Sequence, residues 1–105
     1  MAIVELREYK IKPNMKHAWL KWLKAELLPY QVSQGMRILQ TYVYADENGN
    51  DWFVWLREFD DEQTRQALYE KTYNQWWKDH VRPKVFTMIE QDNIKVRLLN
   101  PVKLV

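Results

Sequence analysis

The spacing of apolar and polar residues divides the first half of the chain into strand-like and helix-like stretches. Residues 3–11 are rich in β-branched and aromatic side chains, which is typical of a strand. Across residues 15–33 the apolar side chains recur every three or four positions, which predicts an amphipathic helix. Residues 36–45 and 52–59 again predict strands, and the Asn-Gly pair between them predicts a hairpin turn.

The second half repeats the helix-then-strand pattern. Asp60 is the predicted N-cap of a helix that runs to about Tyr73, because its side chain can accept a hydrogen bond from the first turn. Asn74 is expected to interrupt this helix, and a further helical segment is predicted over residues 75–90. Residues 94–99 predict the last strand.

The residues between these stretches indicate where the first helix begins and ends. Asn14 is the predicted N-cap, and an asparagine there also tolerates a left-handed backbone. Pro29 is expected either to bend the last turn or to begin a second short segment, and Gly35 is expected to stop the helix.

The predicted order is β-α-β-β-α-β, the ferredoxin-like split unit of the α+β class. This arrangement has a four-stranded antiparallel sheet with both helices on one face. The chain has 105 residues, which is enough for one hydrophobic core and too few for two. We therefore expect a single domain spanning residues 1–105.

Composition excludes several classes of protein. The chain has no cysteine, which excludes disulfides and thiolate metal sites and fits a cytoplasmic location. Two glycines make a glycine-rich phosphate loop improbable, and the net charge of +2 gives no reason to expect nucleic acid. Neither a membrane-spanning run nor a signal peptide is predicted. The unusual feature is the aromatic content, with six Trp, six Tyr and three Phe.

Alternation along the strands separates the sheet residues into two chemically different sets. One set is aliphatic and is predicted to lie beneath the helices: Val4, Leu6, Leu39, Val43, Val54, Leu56, Ile94, Val96 and Leu98. The other is aromatic and charged and is predicted to lie on the uncovered face: Glu5, Arg7, Tyr9, Ile38, Gln40, Tyr42, Phe53, Trp55, Arg57, Phe59, Lys95 and Arg97. Because an exposed aromatic patch marks an interface or ligand site, we expect a C2 homodimer that encloses a cavity between two such faces.

Several stretches resemble the NIPSNAP family. Residues 4–9 (Val-Glu-Leu-Arg-Glu-Tyr) and 12–14 (Lys-Pro-Asn) resemble the family's E-L-R-x-Y…P-G opening, with Asn14 in place of the usual glycine. Residues 35–39 and 53–61 and the Trp-rich end of the second helix are also similar. The resemblance implies a dimeric α+β barrel. The broader superfamily includes cofactor-free monooxygenases, polyketide cyclases, haem-degrading enzymes and proteins without an assigned activity.

The family's recurrent Glu-x-Arg-x-Tyr positions fall on Glu5, Arg7 and Tyr9, which are the predicted catalytic residues. An arginine can clamp a carboxylate or enolate oxygen, and Tyr9 can donate a hydrogen bond to a developing oxyanion. Glu5 is a candidate base if burial raises its pKa. The predicted ligand-binding residues are Tyr42, Trp55, Arg57, His80 and Arg97. The structural alternative is a buried ion-pair network that seals the dimer.

Two classes of function fit these residues. The first is a cofactor-independent enzyme, of the monooxygenase or cyclase type, that binds a small aromatic or acidic molecule in the dimer-enclosed cavity. The second is a non-catalytic interaction module whose sheet face serves only for dimerisation, with its cavity filled by Trp and Phe side chains. No metal ligand set and no cofactor are predicted, because the two histidines lack metal-site spacing.

Overall fold

In the computed structural model, which describes residues 2–104, four antiparallel strands form one sheet with the helices on one of its faces. The strands are β1 (Ile3–Ile11), β2 (Arg37–Ala45), β3 (Asp51–Phe59) and β4 (Ile89–Leu99). Their order across the sheet is β2-β3-β1-β4, so β1 and β3 are central and β2 and β4 are edges. This is the ferredoxin-like topology, and the predicted fold class is confirmed.

The helices fall into two groups along the chain. Between β1 and β2, α1 (Lys16–Trp22) leads without a break through a π-helical segment (Leu23–Leu27) into α2 (Leu28–Ser33). Between β3 and β4 lie α3 (Glu62–Thr72), α4 (Gln75–His80) and α5 (Arg82–Met88). None of the helices within residues 2–104 has the length and apolarity needed to cross a membrane.

The first helix begins and ends at left-handed residues. Asn14 has φ +65°, and it makes no side-chain cap, so the prediction that it caps α1 is wrong. Its left-handed backbone agrees with the prediction for the turn. Gly35 has φ +108° just after α2 and ends the helical stretch as predicted.

The second group of helices begins at polar caps. Asp61, and not Asp60, is the N-cap of α3, because its carboxylate accepts the backbone N–H of Thr64 at 2.7 Å. Asn74 interrupts the chain as predicted and caps α4 by accepting the backbone N–H of Trp77 at 3.0 Å. The predicted helix over residues 75–90 divides into α4 and α5, and β4 starts five residues earlier than expected.

The prediction of which sheet face the helices cover is wrong for the central strands. Glu5, Trp55 and Arg57 lie on the helix-covered face, with exposed fractions of 0%, 1% and 1%. Leu6 and Leu56 are paired across the two strands on the other, open face. The aromatic rings bury more apolar area than aliphatic side chains, and the charges of this face find partners on the helices, so burying it is favourable.

In the edge strands β2 and β4, the pairing register shows on which face of the sheet each residue lies. Residues opposite one another in an antiparallel pair share a face. Ile94, Val96 and Leu98 pair with Tyr9, Arg7 and Glu5, so these three aliphatic residues lie on the helix side. Conversely, Arg97 and Tyr42 pair with Leu6 and Val54 and lie on the open face. A register shift between Ile38 and Gln40 explains why alternation along β2 misplaced Ile38, which pairs with Arg57 on the helix side, whereas Val43 pairs with Phe53 and lies on the helix side as predicted.

Aromatic side chains form the centre of the core. Trp19 of α1 is fully buried and contacts the rings of Tyr9 and Phe53 edge-on, at centroid distances of 6.2 and 5.7 Å. Of the adjacent pair at the start of α4, Trp76 is 53% exposed and Trp77 packs against the core, as expected for neighbours that cannot share a face.

Candidate functional site

A buried carboxylate organises the polar groups between the sheet and the helices. One oxygen of Glu5 on β1 accepts hydrogen bonds from the Nη2 and Nε atoms of Arg57 on β3, at 2.5 and 3.1 Å. Its other oxygen accepts from the Arg65 guanidinium at 2.7 and 2.9 Å and from the Tyr69 hydroxyl at 2.5 Å. Both donors on α3 lie one helical turn apart, so one face of the helix serves this carboxylate.

These contacts keep Glu5 ionised. Burial by itself would raise the pKa of Glu5, but the charge of Arg57 and the hydrogen bonds from Tyr69, Arg57 and Arg65 outweigh it and lower the pKa. A carboxylate with a lowered pKa and both oxygens occupied is a poor proton acceptor. The geometry therefore favours the structural interpretation of Glu5 over its predicted role as a base.

Two arginines connect this carboxylate to tyrosine hydroxyls. Arg57 donates from Nη1 to the Tyr73 hydroxyl at 2.5 Å and to Gln31 Oε1 at 3.2 Å. Its guanidinium carbon lies 4.6 Å from the centroid of the Trp55 ring, within the range of a cation–π contact. Arg57 therefore has polar or aromatic partners from β1, β3 and the helices, which explains its near-complete burial.

The second arginine, Arg7, lies closer to solvent. It donates from Nε to the Tyr9 hydroxyl at 2.8 Å and from Nη1 to the Tyr69 hydroxyl at 3.0 Å. The indole N–H of Trp55 also donates to the Tyr9 hydroxyl, at 3.1 Å. Burial would lower the pKa of Arg7, but the neighbouring Tyr9, Tyr69 and Glu5 oxygens raise it. Arg7 therefore remains a cation.

A cavity of about 230 Å³ adjoins this network between the sheet and the helices. Half of the residues that line it are aromatic, and the Arg7 side chain reaches it from β1. The rings include Tyr9, Trp19, Trp55, Tyr73 and Trp77. No aspartate or glutamate is among the lining residues in the described part of the chain.

The structure brings together five of the eight predicted site residues. Glu5, Arg7, Tyr9, Trp55 and Arg57 form one connected network on the helix side of the sheet. This location differs from the prediction, which placed them on the face that meets a partner chain.

The other three predicted site residues lie elsewhere. Tyr42 and Arg97 are on the open face, where their strands pair with Val54 and Leu6. His80 is exposed at the end of α4, with its ring 5.9 Å from that of Trp76, and it does not line the cavity. Within residues 2–104 no cluster of three metal-ligating side chains is found.

Sequence reasoning missed the contribution of the second helix group. Arg65, Tyr69 and Tyr73 are spaced four residues apart, so they form a stripe along α3 and its C-terminal end. Gln31 of α2 was missed as well. The four-residue spacing of an arginine and two tyrosines was the available signal, because polar aromatic residues on one helix face find hydrogen-bond partners when they are buried.

Comparison with known proteins supports the fold described above. The class is a ferredoxin-like α+β domain, and its solved neighbours include NIPSNAP proteins. A NIPSNAP-like domain protein from Burkholderia xenovorans has a TM-score of 0.82 at 20% identity, covering 99% of this chain and 88% of its own. A second NIPSNAP domain protein from that organism has a TM-score of 0.78 at 21% identity, covering 98% and 97%.

A NIPSNAP family protein of unknown function from Agrobacterium tumefaciens has a TM-score of 0.82 at 18% identity, covering 99% of this chain and 91% of its own. No protein-family model and no curated protein matches the chain. At these identities the likeness establishes a shared fold, and it agrees with the resemblance seen in the sequence.

Proposed function

We propose that this chain is a NIPSNAP-type domain that binds a small aromatic or acidic organic molecule in the cavity between its sheet and its helices. The observation that supports this proposal most directly is an aromatic-lined space of about 230 Å³ with the Arg7 guanidinium at its wall. A cavity of roughly 150 Å³ already accepts benzene, so the space is sufficient for a substituted ring. The competing interpretation, a non-catalytic module whose sheet face serves only for dimerisation, stays a prediction, because it concerns a space between two chains and not this space within one chain.

A more specific version of this proposal is that the domain also catalyses a cofactor-independent reaction of the monooxygenase or cyclase type. Neither carboxylates nor histidines line the cavity within residues 2–104, so the described wall offers no general base of the usual kind. Its contribution to such a reaction is stabilisation of negative charge on a bound enol or phenol oxygen by Arg7 and Tyr9. Glu5 acts in this scheme as a positioning residue that fixes Arg57 and Tyr69.

Binding can be tested by titrating one- and two-ring aromatic compounds into isotope-labelled protein and following the indole N–H signals by NMR. The signals of Trp19 and Trp77 should shift, because both rings line the cavity. Val85→Phe should fill the space and abolish the shifts, whereas Val43→Phe, at a 41% exposed position on the sheet edge, should not. A library that leaves both indole signals unmoved contradicts the proposal.

We also propose that the open sheet face pairs with a second copy of the chain. It carries half-buried Val4, Leu6, Val54 and Leu56 in adjacent strands, too much apolar surface for a monomer to leave uncovered. The same face carries Glu8 and Glu58 together with Lys95 and Arg97, as their pairing positions show. Charges of both signs on one face allow that face to be self-complementary under a two-fold axis.

Sedimentation velocity tests this pairing. Leu56→Glu should convert a dimer to a folded monomer, because it places a charge at the centre of the apolar face. Val32→Glu is the matched control, since Val32 is 56% exposed on α2 and away from the sheet. A folded Leu56→Glu protein that still sediments as a dimer contradicts the proposed interface. A cytoplasmic location remains a prediction from the cysteine-free composition.

A further inference from the structure

The Tyr9 hydroxyl has a hydrogen that no described residue accepts. Its oxygen accepts hydrogen bonds from Arg7 Nε at 2.8 Å and from the Trp55 indole at 3.1 Å, which occupies both lone pairs. Among residues 2–104 it donates to nothing. Because a hydroxyl that accepts from a cation becomes a stronger donor, and Tyr9 lines the cavity, its O–H is available to a ligand.

Tyr73 repeats this arrangement from the helix side. Its hydroxyl accepts from Arg57 Nη1 at 2.5 Å and donates to no group in the described chain. Burial raises the pKa of Tyr73 more than the Arg57 charge lowers it, so the hydroxyl keeps its proton. Tyr69 differs, because its hydroxyl accepts hydrogen bonds from Arg7 and Arg57 and donates its own hydrogen bond to Glu5. Tyr9 and Tyr73 are thus the tyrosines of the network with an unused donor.

Two indoles add further unused donors. The Nε1 atoms of Trp19 and Trp77 are buried and have no hydrogen-bond partner within residues 2–104. Trp19 is fully buried, and both rings line the cavity. A buried N–H without an acceptor costs free energy, and native proteins seldom keep two of them in one place without a partner.

The local charge is positive, opposite in sign to an anionic acceptor that would satisfy the unused donors. Three guanidinium groups meet here, from Arg7, Arg57 and Arg65, against the carboxylates of Glu5 and Glu62. The cluster therefore holds one excess positive charge. Arg82 also lines the cavity and has no carboxylate within ion-pair distance in the described part of the chain.

From these observations we infer that the cavity selects an organic anion, a carboxylate or enolate attached to an aromatic ring, and holds its oxygens by the hydroxyls of Tyr9 and Tyr73 and the indole N–H groups of Trp19 and Trp77. This inference rests on the proposed binding function and names its ligand class. The wall supplies donors and positive charge but no carboxylate acceptor. A ligand rich in acceptors can pair with these donors. A ligand that brings donors leaves hydrogen-bonding groups unpaired on the ligand and on the cavity wall.

Matched pairs of ligands test the inference. Benzoate, cinnamate and 2-naphthoate are titrated against the corresponding amides, with the Trp19 and Trp77 indole signals as the NMR readout. Each amide has the shape of its acid but carries no charge and brings two N–H donors. We expect the carboxylate to bind at least about tenfold more tightly in the pairs that bind, the size expected of one charge-assisted hydrogen bond.

Variants show whether the named donors cause the preference. Tyr73→Phe removes one donor and leaves Arg57 Nη1 bonded to Gln31, so the carboxylate preference should fall about fivefold or more. Tyr42→Phe is the matched control, since Tyr42 is 49% exposed on the open face, and it should leave the preference unchanged. If Tyr73→Phe does not fold, Trp77→Phe replaces it, because that indole has no partner to lose.

Each outcome is informative. Carboxylates that bind more tightly, with a preference reduced by Tyr73→Phe or Trp77→Phe, support the inference. Amides that bind as tightly as their acids overturn it but leave the proposed binding function standing. If neither member of any pair binds, the proposed function fails with it. A carboxylate preference that survives both variants overturns the assignment of the donors.

Discussion

The two faces of the sheet differ in chemistry and in how that chemistry is satisfied. The helix-covered face carries Glu5, Arg57 and Trp55, and their exposed fractions do not exceed 1%. The open face carries the aliphatic side chains of Leu6 and Leu56, which stay half-buried. Hydropathy alone would assign these faces the other way round. The difference shows that a charged face can form the interior when its charged groups have hydrogen-bond partners.

The pairing explains why burial of the polar face is tolerated. An isolated buried carboxylate is strongly disfavoured, but Glu5 accepts from two guanidinium groups and a hydroxyl. Arg57 comes from the neighbouring strand β3, whereas Arg65 and Tyr69 come from α3, so their contacts with Glu5 form only when the helix packs on the sheet. The aliphatic face needs no such partners, and its apolar area is suited to another chain. The four changes below test this contrast, from the largest expected effect to the smallest.

The largest effect is expected from Glu5→Gln. It leaves Arg57 and Arg65 without their shared carboxylate, so the free energy of unfolding should fall by about 3–5 kcal/mol. Chemical denaturation measures it. Glu8→Gln is the control on the open face of the same strand, where, among residues 2–104, the Glu8 carboxylate accepts one side-chain hydrogen bond, from Tyr44 at 3.2 Å. Equal losses in the two variants would mean that the network does not stabilise the fold.

Tyr69→Phe should have the next largest effect. The hydroxyl accepts from Arg7 and Arg57 and donates to Glu5, so its removal leaves three buried partners short of a hydrogen bond. We expect a loss of about 1–3 kcal/mol in the free energy of unfolding. Tyr42→Phe, which removes an open-face hydroxyl, should change it by less than about 0.5 kcal/mol. A similar loss for both tyrosines would contradict the contrast between the faces.

Leu56→Ala should have a smaller effect that depends on protein concentration. In an isolated chain the half-buried side chain contributes about 1 kcal/mol or less, because part of it already contacts water. If two open faces pair, the variant should lose more stability at high concentration, where the wild type is dimeric. Thermal unfolding across a hundredfold range of concentration measures this. A loss that is independent of concentration argues against pairing through this face.

The smallest effect is expected on the pH dependence of the free energy of unfolding. The pKa of Glu5 is lowered from its ordinary value of 4.5, so its contribution to stability is complete above about pH 4.5 and is lost as the pH falls through the lowered pKa. Denaturation between pH 7 and pH 3 should show a steeper loss for wild type than for Glu5→Gln. Glu8→Gln should keep the wild-type slope. Parallel curves for wild type and Glu5→Gln would show that the carboxylate is not stabilised by folding.

The local pattern predicted the elements more accurately than the site. Strand alternation and turn residues located the hairpin, and Gly35 and Asn74 marked real boundaries. Alternation also grouped Glu5, Arg7 and Tyr9 correctly on one face of β1. It was unable to predict the contribution of Tyr73 or the assignment of Ile38, because the first depends on helix packing and the second on a register shift.

The sequence by itself determined the order of the elements, the ferredoxin-like class and the division of each central strand into a polar aromatic side and an aliphatic side. These follow from interactions between residues close along the chain, such as caps, turns and alternation. Only the tertiary structure decided which side the helices cover, because that choice depends on contacts between distant residues. The Glu5 carboxylate meets Arg57 and Arg65 across 52 and 60 positions, and those contacts bury the charges.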